Sequence, residues 1–269
     1  MEAPVSGSIV LAAILLKLGG FGALRLSPLL AHRLPRDGIP ALALVGGALI
    51  SFLCISQWDI KVLIAYSSVA HISLVIYSLL SGTFLGLWAS LSIILAHGVS
   101  SSGLFAAANV AYSRAGSRSM LLNKRGVSAL PSFSLWLFLL CLANMGGPPT
   151  FNLLREIINF SLLLSFSCFT LLPIFFLAGL AVAYSLILYS RTQQGAPRGV
   201  KGASPPLSLV EATNLSVHRV APIGLVLAIN CLLYNNIKPD YCPPVCLSLL
   251  AFTCGHQRFL KKKKRPRKV

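Results

Sequence analysis

Ser8-Ile-Val-Leu-Ala-Ala-Ile-Leu-Leu-Lys17-Leu-Gly-Gly-Phe-Gly-Ala-Leu24 is an apolar run whose only ionisable residue, Lys17, falls near its middle. A run of this kind crosses a bilayer as a helix. The hydrocarbon core asks for about 20 apolar residues, and within one segment only a helix satisfies its own backbone groups there. An ammonium at mid-span costs at least ~2.5 kcal/mol, so such a lysine faces other protein or a wet cavity rather than lipid. Three more apolar runs repeat the arrangement with His71, His97 and Glu156. The fold class is therefore all-α, a polytopic transmembrane helix bundle, and the row of titratable groups is the feature from which its function is read.

Composition agrees. The 269 residues are 55% hydrophobic and 11% charged, against the roughly 25% charged residues of a soluble domain. The runs are too long and too continuous for the alternating strands of a membrane barrel. A net charge of +17 raises a nucleic-acid reading, but its distribution argues against one. Much of the excess lies in the tail from Arg258 to Val269, and most other basic residues sit in short loops between apolar runs, where they set topology. No nucleic-acid partner is expected. The seven cysteines are scattered. Cys242, Cys246, Cys254 and His256 match none of the usual zinc spacings, so no metal site is assigned. The first run lacks a basic leader and continues into other spans, which reads as a retained helix.

Along the chain the sequence predicts about seven spans. The first runs from about Ser6 to Leu24 and ends at Gly19, Gly20 and Gly22, followed by a loop from Arg25 to Pro40. Ile39–Ser56, Val62–Leu80 and Phe84–Tyr112 are the next three. The third holds Tyr66, Ser67, Ser68 and His71; the fourth holds His97, Ser100 and Ser101, a patch too polar for a lipid-facing surface. Pro131–Phe166 is too long for one straight span and is interrupted at Gly146-Gly147-Pro148-Pro149. Proline removes a backbone donor and strains the turn before it, so this span is predicted to be a discontinuous helix, with Glu156 two turns past the break. Such breaks at membrane depth mark functional sites in transporters. Cys168–Ser190 and a weaker helix, Leu215–Tyr234, complete the bundle. Residues 1–234 then form the membrane domain, and 235–269 form an atypical basic tail expected to be disordered.

Lysine, histidine and glutamate all bind and release protons. Four of them, one per span, supply carriers that waters link into a relay, and the hydroxyls of Tyr66, Ser67, Ser68, Ser100 and Ser101 are placed to hold those waters. No nucleophile-and-base pair, phosphate loop or dinucleotide fingerprint accompanies them. Other readings stand beside the relay. Either histidine can be a packing residue bonded to a carbonyl, Lys17 can snorkel, and Glu156 can form a structural pair with Arg155.

At these residues the sequence resembles the subunit 4 family of the proton-pumping NADH:ubiquinone oxidoreductase, respiratory complex I, of the mitochondrially encoded type. The matching strings are Glu2-Ala-Pro-Val-Ser-Gly-Ser8, Leu15-Leu-Lys-Leu-Gly-Gly20, Asp59-Ile-Lys-Val-Leu-Ile-Ala-Tyr-Ser-Ser68, His71-Ile-Ser-Leu74, Ala96-His-Gly98 and Pro148-Pro-Thr-Phe-Asn-Leu-Leu154. They stand in family order across roughly residues 2 to 234. The resemblance implies an antiporter-like subunit of the membrane arm, with Lys17, His71 and His97 on its hydrophilic axis and Glu156 near the exit side. It implies that the chain corresponds to about the C-terminal half of such a subunit, without the glutamate and lysine of the uptake half. No cofactor is expected in this chain: NADH, flavin, iron–sulfur clusters and ubiquinone belong to other subunits. The expected partners are other membrane-arm subunits of complex I and the lipid bilayer. The expected location is the mitochondrial inner membrane, with the N-terminus on the matrix side, because among the loops Lys61, Arg114, Arg118, Lys124, Arg125, Arg191, Arg198, Lys201 and Arg219 fall there and Arg25, Arg33 and Arg36 opposite; the polybasic tail breaks this rule.

Two departures from the family pattern matter. Arg155 stands where family members usually have a small residue, and Ile9 and Ile72 where they often have Met. Translation of an invertebrate mitochondrial gene by the standard code produces both substitutions; peptide masses that contain Arg155 and Ile72 would refute that origin. The alternative functions are a subunit of a multisubunit cation/proton antiporter, and a non-functional truncated copy acting as a packing component.

Overall fold

The computed structural model describes residues 5–31, 38–124, 130–148, 150–164, 171–195 and 207–236. Its elements are α1 (Val5–Val10), a π-helical segment (Leu11–Leu15), α2 (Leu16–Ala31), α3 (Gly38–Ser56), α4 (Ile60–Leu80), α5 (Phe84–Ala115), α6 (Pro131–Asn144), α7 (Phe151–Leu164), α8 (Leu171–Gln193) and α9 (Leu209–Asn236). The chain divides into two units, Met1–Ile223 and Gly224–Val269. Of the second unit, residues 224–236 are described, and they are helical. The tail from 237 onward, Pro149, Cys168 and the Cys242–His256 group lie outside the described residues.

Five described helical stretches are long and apolar enough to cross a membrane: Gly7–Ser27, Gly38–Ser56, Ile60–Leu80, Phe84–Ala115 and Leu172–Gln193. The sequence predicts two further spans. One is the interrupted span, present as two 14-residue helices, α6 and α7, separated by the turn through Met145 and Gly146. The other is the weaker closing helix, which falls within α9. The first helix departs from expectation, because it does not stop at Gly19–Gly22 but runs on to Ala31. A helical glycine costs only about 1 kcal/mol, less than leaving backbone groups unpaired in hydrocarbon.

Lipid offers no hydrophobic drive for helices to associate, so close backbone approach through small residues has to supply it. Gly47 of α3 shows this: a Cβ added there would lie 2.8 Å from the Cβ of Ser73 on α4. Leu42, Leu49 and Phe52 on the same helix stay exposed. Helices α4 and α5 are the most enclosed spans, at 67% and 72% buried against 6% for the first. They carry most of the buried serines, which bond back to carbonyls three or four residues earlier, as Ser67 does to Ile64 (2.7 Å).

One end of the bundle is fastened by main-chain bonds and basic–aromatic contacts. Ile60 N donates to Arg118 O (3.1 Å) and Met120 N to Trp58 O (2.9 Å). The Arg191 guanidinium lies 4.4 Å from the Trp58 ring centroid, and Arg114 Nη2 meets Glu211 Oε2 at 2.7 Å. That arrangement suits a membrane–water interface.

Candidate functional site

Lys17 follows directly on the π-helical segment. A π turn leaves a carbonyl outside the regular ladder, and the Lys17 ammonium donates to Ala12 O. The lysine stem then lies along α5, with Cε 3.4 Å from the place a Cβ on Gly98 would take. The sequence motif Ala96-His97-Gly98 thus sets the lysine stem against the glycine next to the histidine.

His71 on α4 and His97 on α5 are both fully enclosed, with ring centroids 4.4 Å apart. Their partners fix the tautomers. The Ser68 hydroxyl has one hydrogen and donates it to Ile64 O (3.2 Å), so Ser68 Oγ accepts from His97 Nε2–H (3.1 Å). His97 Nδ1 is then the free acceptor, and it is buried without a hydrogen-bond partner. On His71, Arg155 Nη1 donates to Nδ1 (3.1 Å), which leaves Nε2–H to donate to Tyr184 Oη on α8 (3.3 Å).

Glu156 sits on α7, 20% exposed, with Oε1 3.5 Å from Arg155 Nη2. The helix break positions it. Gly146 has φ +76°, a conformation glycine adopts at little cost, and a Cβ there would lie 2.7 Å from both carboxyl oxygens. The carboxyl thus rests on the bare backbone of the turn that separates α6 from α7.

Two cavities of about 20 Å³ meet at His71. One is shared with Lys17 and His97; the other with Glu156 and Asn159. Each has room for about one water. Of the four titratable residues singled out from sequence, His71 lines both cavities, Lys17 and His97 the first and Glu156 the second. Ser68 bonds His97 directly; Ser100 accepts from Asn152 Nδ2 at its Oγ (3.3 Å). Ser67 and Ser101 are buried but bond only to their own helices' carbonyls (Ser101 to Gly98 O, 3.3 Å). Tyr66 lies on the outer face of α4, 38% exposed.

Three buried polar groups of the site fall outside the set that the sequence points to. Tyr184 gave no signal, since a lone tyrosine in an apolar span reads as packing. Asn152 and Asn159 did: with Arg155 and Glu156 they form a stripe at i, i+3, i+4 and i+7 of α7, the spacing of one helical face. Among the described residues no group of three or more His, Cys, Asp or Glu side chains is arranged to hold a metal.

Residues 1–181 match a family model described as the NADH:quinone oxidoreductase/Mrp antiporter transmembrane region. The chain is 48% identical over 198 residues to the NADH-ubiquinone oxidoreductase chain 4 of Aedes aegypti, covering 72% of this chain and 44% of that one. It thus spans under half the length of that relative. A chain of the respiratory complex I of Thermus thermophilus superposes with a TM-score of 0.62 at 21% identity, over 81% of this chain and 44% of that one. A chain of the Mrp complex from Dietzia superposes with a TM-score of 0.64 at 16% identity, over 72% and 45%. At those identities the likeness is one of fold.

Proposed function

We propose that this chain, which belongs to the NADH:quinone oxidoreductase/Mrp antiporter transmembrane family, is part of a membrane-arm subunit of complex I and relays protons across the bilayer. The observation that carries the reading is the pair of water-sized cavities meeting at His71, one reaching Lys17 and His97, the other reaching Glu156. Lys17 hands a proton through the first cavity to the unpartnered Nδ1 of His97. The adjoining imidazoles pass it towards the second cavity, where Glu156, fixed against Gly146, receives it for release. Each step asks a donor and an acceptor to share one water. The chain contributes proton carriers only; electron transfer from NADH to ubiquinone takes place in partner subunits. The likeness to NADH-ubiquinone oxidoreductase chain 4 supports a location in the mitochondrial inner membrane, and the excess of basic residues in alternate loops supports an N-terminus on the matrix side.

Native-gel separation of source membranes, with peptide mass identification, tests the assignment. The chain is expected to migrate with NADH dehydrogenase activity, together with other membrane-arm subunits. The likeness to the Mrp complex favours one competitor, a cation/proton antiporter subunit. Migration apart from that activity, with sodium-dependent proton exchange, would establish the competitor instead.

A further inference from the structure

Arg155 is the largest fully buried side chain of the described residues, and it stands inside the proposed proton path. Its Nη1 donates to His71 Nδ1 (3.1 Å) and its Nη2 lies 3.5 Å from Glu156 Oε1. Neither Nε nor Nη2 makes a hydrogen bond. A guanidinium so poorly satisfied and so deep is not there for stability alone. It bridges the histidine and the glutamate beside the cavity that the two share.

We infer that Arg155 is a latch that closes the step between His71 and Glu156. A guanidinium only donates, so His71 Nδ1 is held as an acceptor and its lone pair is occupied. An imidazole in a relay takes a proton on one nitrogen as it releases one from the other. With Nδ1 engaged by Arg155 and Nε2–H engaged by Tyr184, His71 does neither. The latch opens when the guanidinium leaves Nδ1 and closes on the Glu156 carboxylate, which it already faces. It therefore responds to whether Glu156 carries its proton. A small side chain at position 155 leaves His71 Nδ1 free to exchange a proton through the cavity shared with Glu156.

The inference rests on the relay reading, and two measurements separate them. The first is the ¹⁵N spectrum of His71 in the assembled complex, with peptide mass across residues 151–157 establishing that arginine is present. Nδ1 unprotonated and Nε2 protonated is expected, with Arg155→Ser releasing Nδ1 and changing its shift. Nδ1 protonated in the arginine-bearing chain, or a small residue at 155 in the mature protein, overturns the latch. The second is proton uptake by proteoliposomes of the complex, in which Arg155→Ser is expected to raise the pumping rate. An unchanged rate overturns the latch, whereas unchanged pumping in His71→Gln and Glu156→Gln overturns the relay beneath it.

Discussion

Substitution of Gly146 by alanine tests how the helix break serves Glu156. The residue sits at φ +76°, where an L side chain costs roughly 1–2 kcal/mol. The new methyl would start 2.7 Å from both carboxyl oxygens, and ordinary contact begins at 3.4 Å, so the carboxyl has to retreat by roughly 0.7 Å. A displacement near 1 Å in a proton-transfer geometry costs on the order of 10²-fold in rate. Pumping by proteoliposomes of the complex should therefore fall between about 10-fold and 100-fold in Gly146→Ala, while native gels still show the assembled complex. Gly46 is the control. It lies in the interior of α3 with nothing within 4 Å of an added Cβ, so alanine there should leave pumping unchanged and stabilise the helix by about 0.5–1 kcal/mol. Gly146→Ala pumping at the wild-type rate would refute the claim that the break exists to seat this carboxyl.

Ser68→Ala removes the acceptor that His97 Nε2–H has among the described residues, leaving both ring nitrogens buried without a partner there, and should destabilise the folded chain by about 1–3 kcal/mol in thermal unfolding, with slower pumping. At the interfacial end, Arg114 holds the Glu211 carboxyl well below its ordinary 4.5, at about 2. A depressed carboxylate stabilises in full above pH 4.5 and loses that contribution as the pH falls towards 2, so amide protection in the first turn of α9, corrected for intrinsic exchange, should fall across that window. Glu211→Gln should abolish the pH dependence. Asn152→Leu breaks the bonds to Ser100 and Ala143 that tie α7 to α5 and α6. It should lower pumping more than assembly, read as the ratio of proton uptake to complex recovered on native gels.

Much of the fold was legible because bilayer physics compresses it. Long apolar runs have to be helices, and Gly146-Gly147-Pro148 has to interrupt one. What the break is for was not legible, because it depends on Glu156 folding back from the next helix onto Gly146, and neither φ nor that contact has a sequence signature. The first helix runs past Gly19–Gly22 for a related reason: glycines that terminate helices in water continue them in hydrocarbon. At the site, Lys17, His71, His97 and Glu156 stood out because charge at mid-span is costly. Tyr184, which bonds His71, carries no such cost and gave no sign. Tyr66 shares a string with Ser67 and Ser68 but turns outward, since consecutive helical residues face about 100° apart. The asparagine stripe of α7 was present at helical spacing, and attending to that face as a whole would have found it.

Whether the row conducts protons or braces the bundle is decided by pumping in assembled complex that carries Glu156→Gln. The amide keeps the size and the contact with Gly146 but carries no proton. Coupled proton uptake should fall by about 10²-fold or more, the scale of a lost acid–base group, with the complex recovered in normal amount. Uptake at the wild-type level would contradict proton conduction, and would make Glu156 and its partners part of the scaffold.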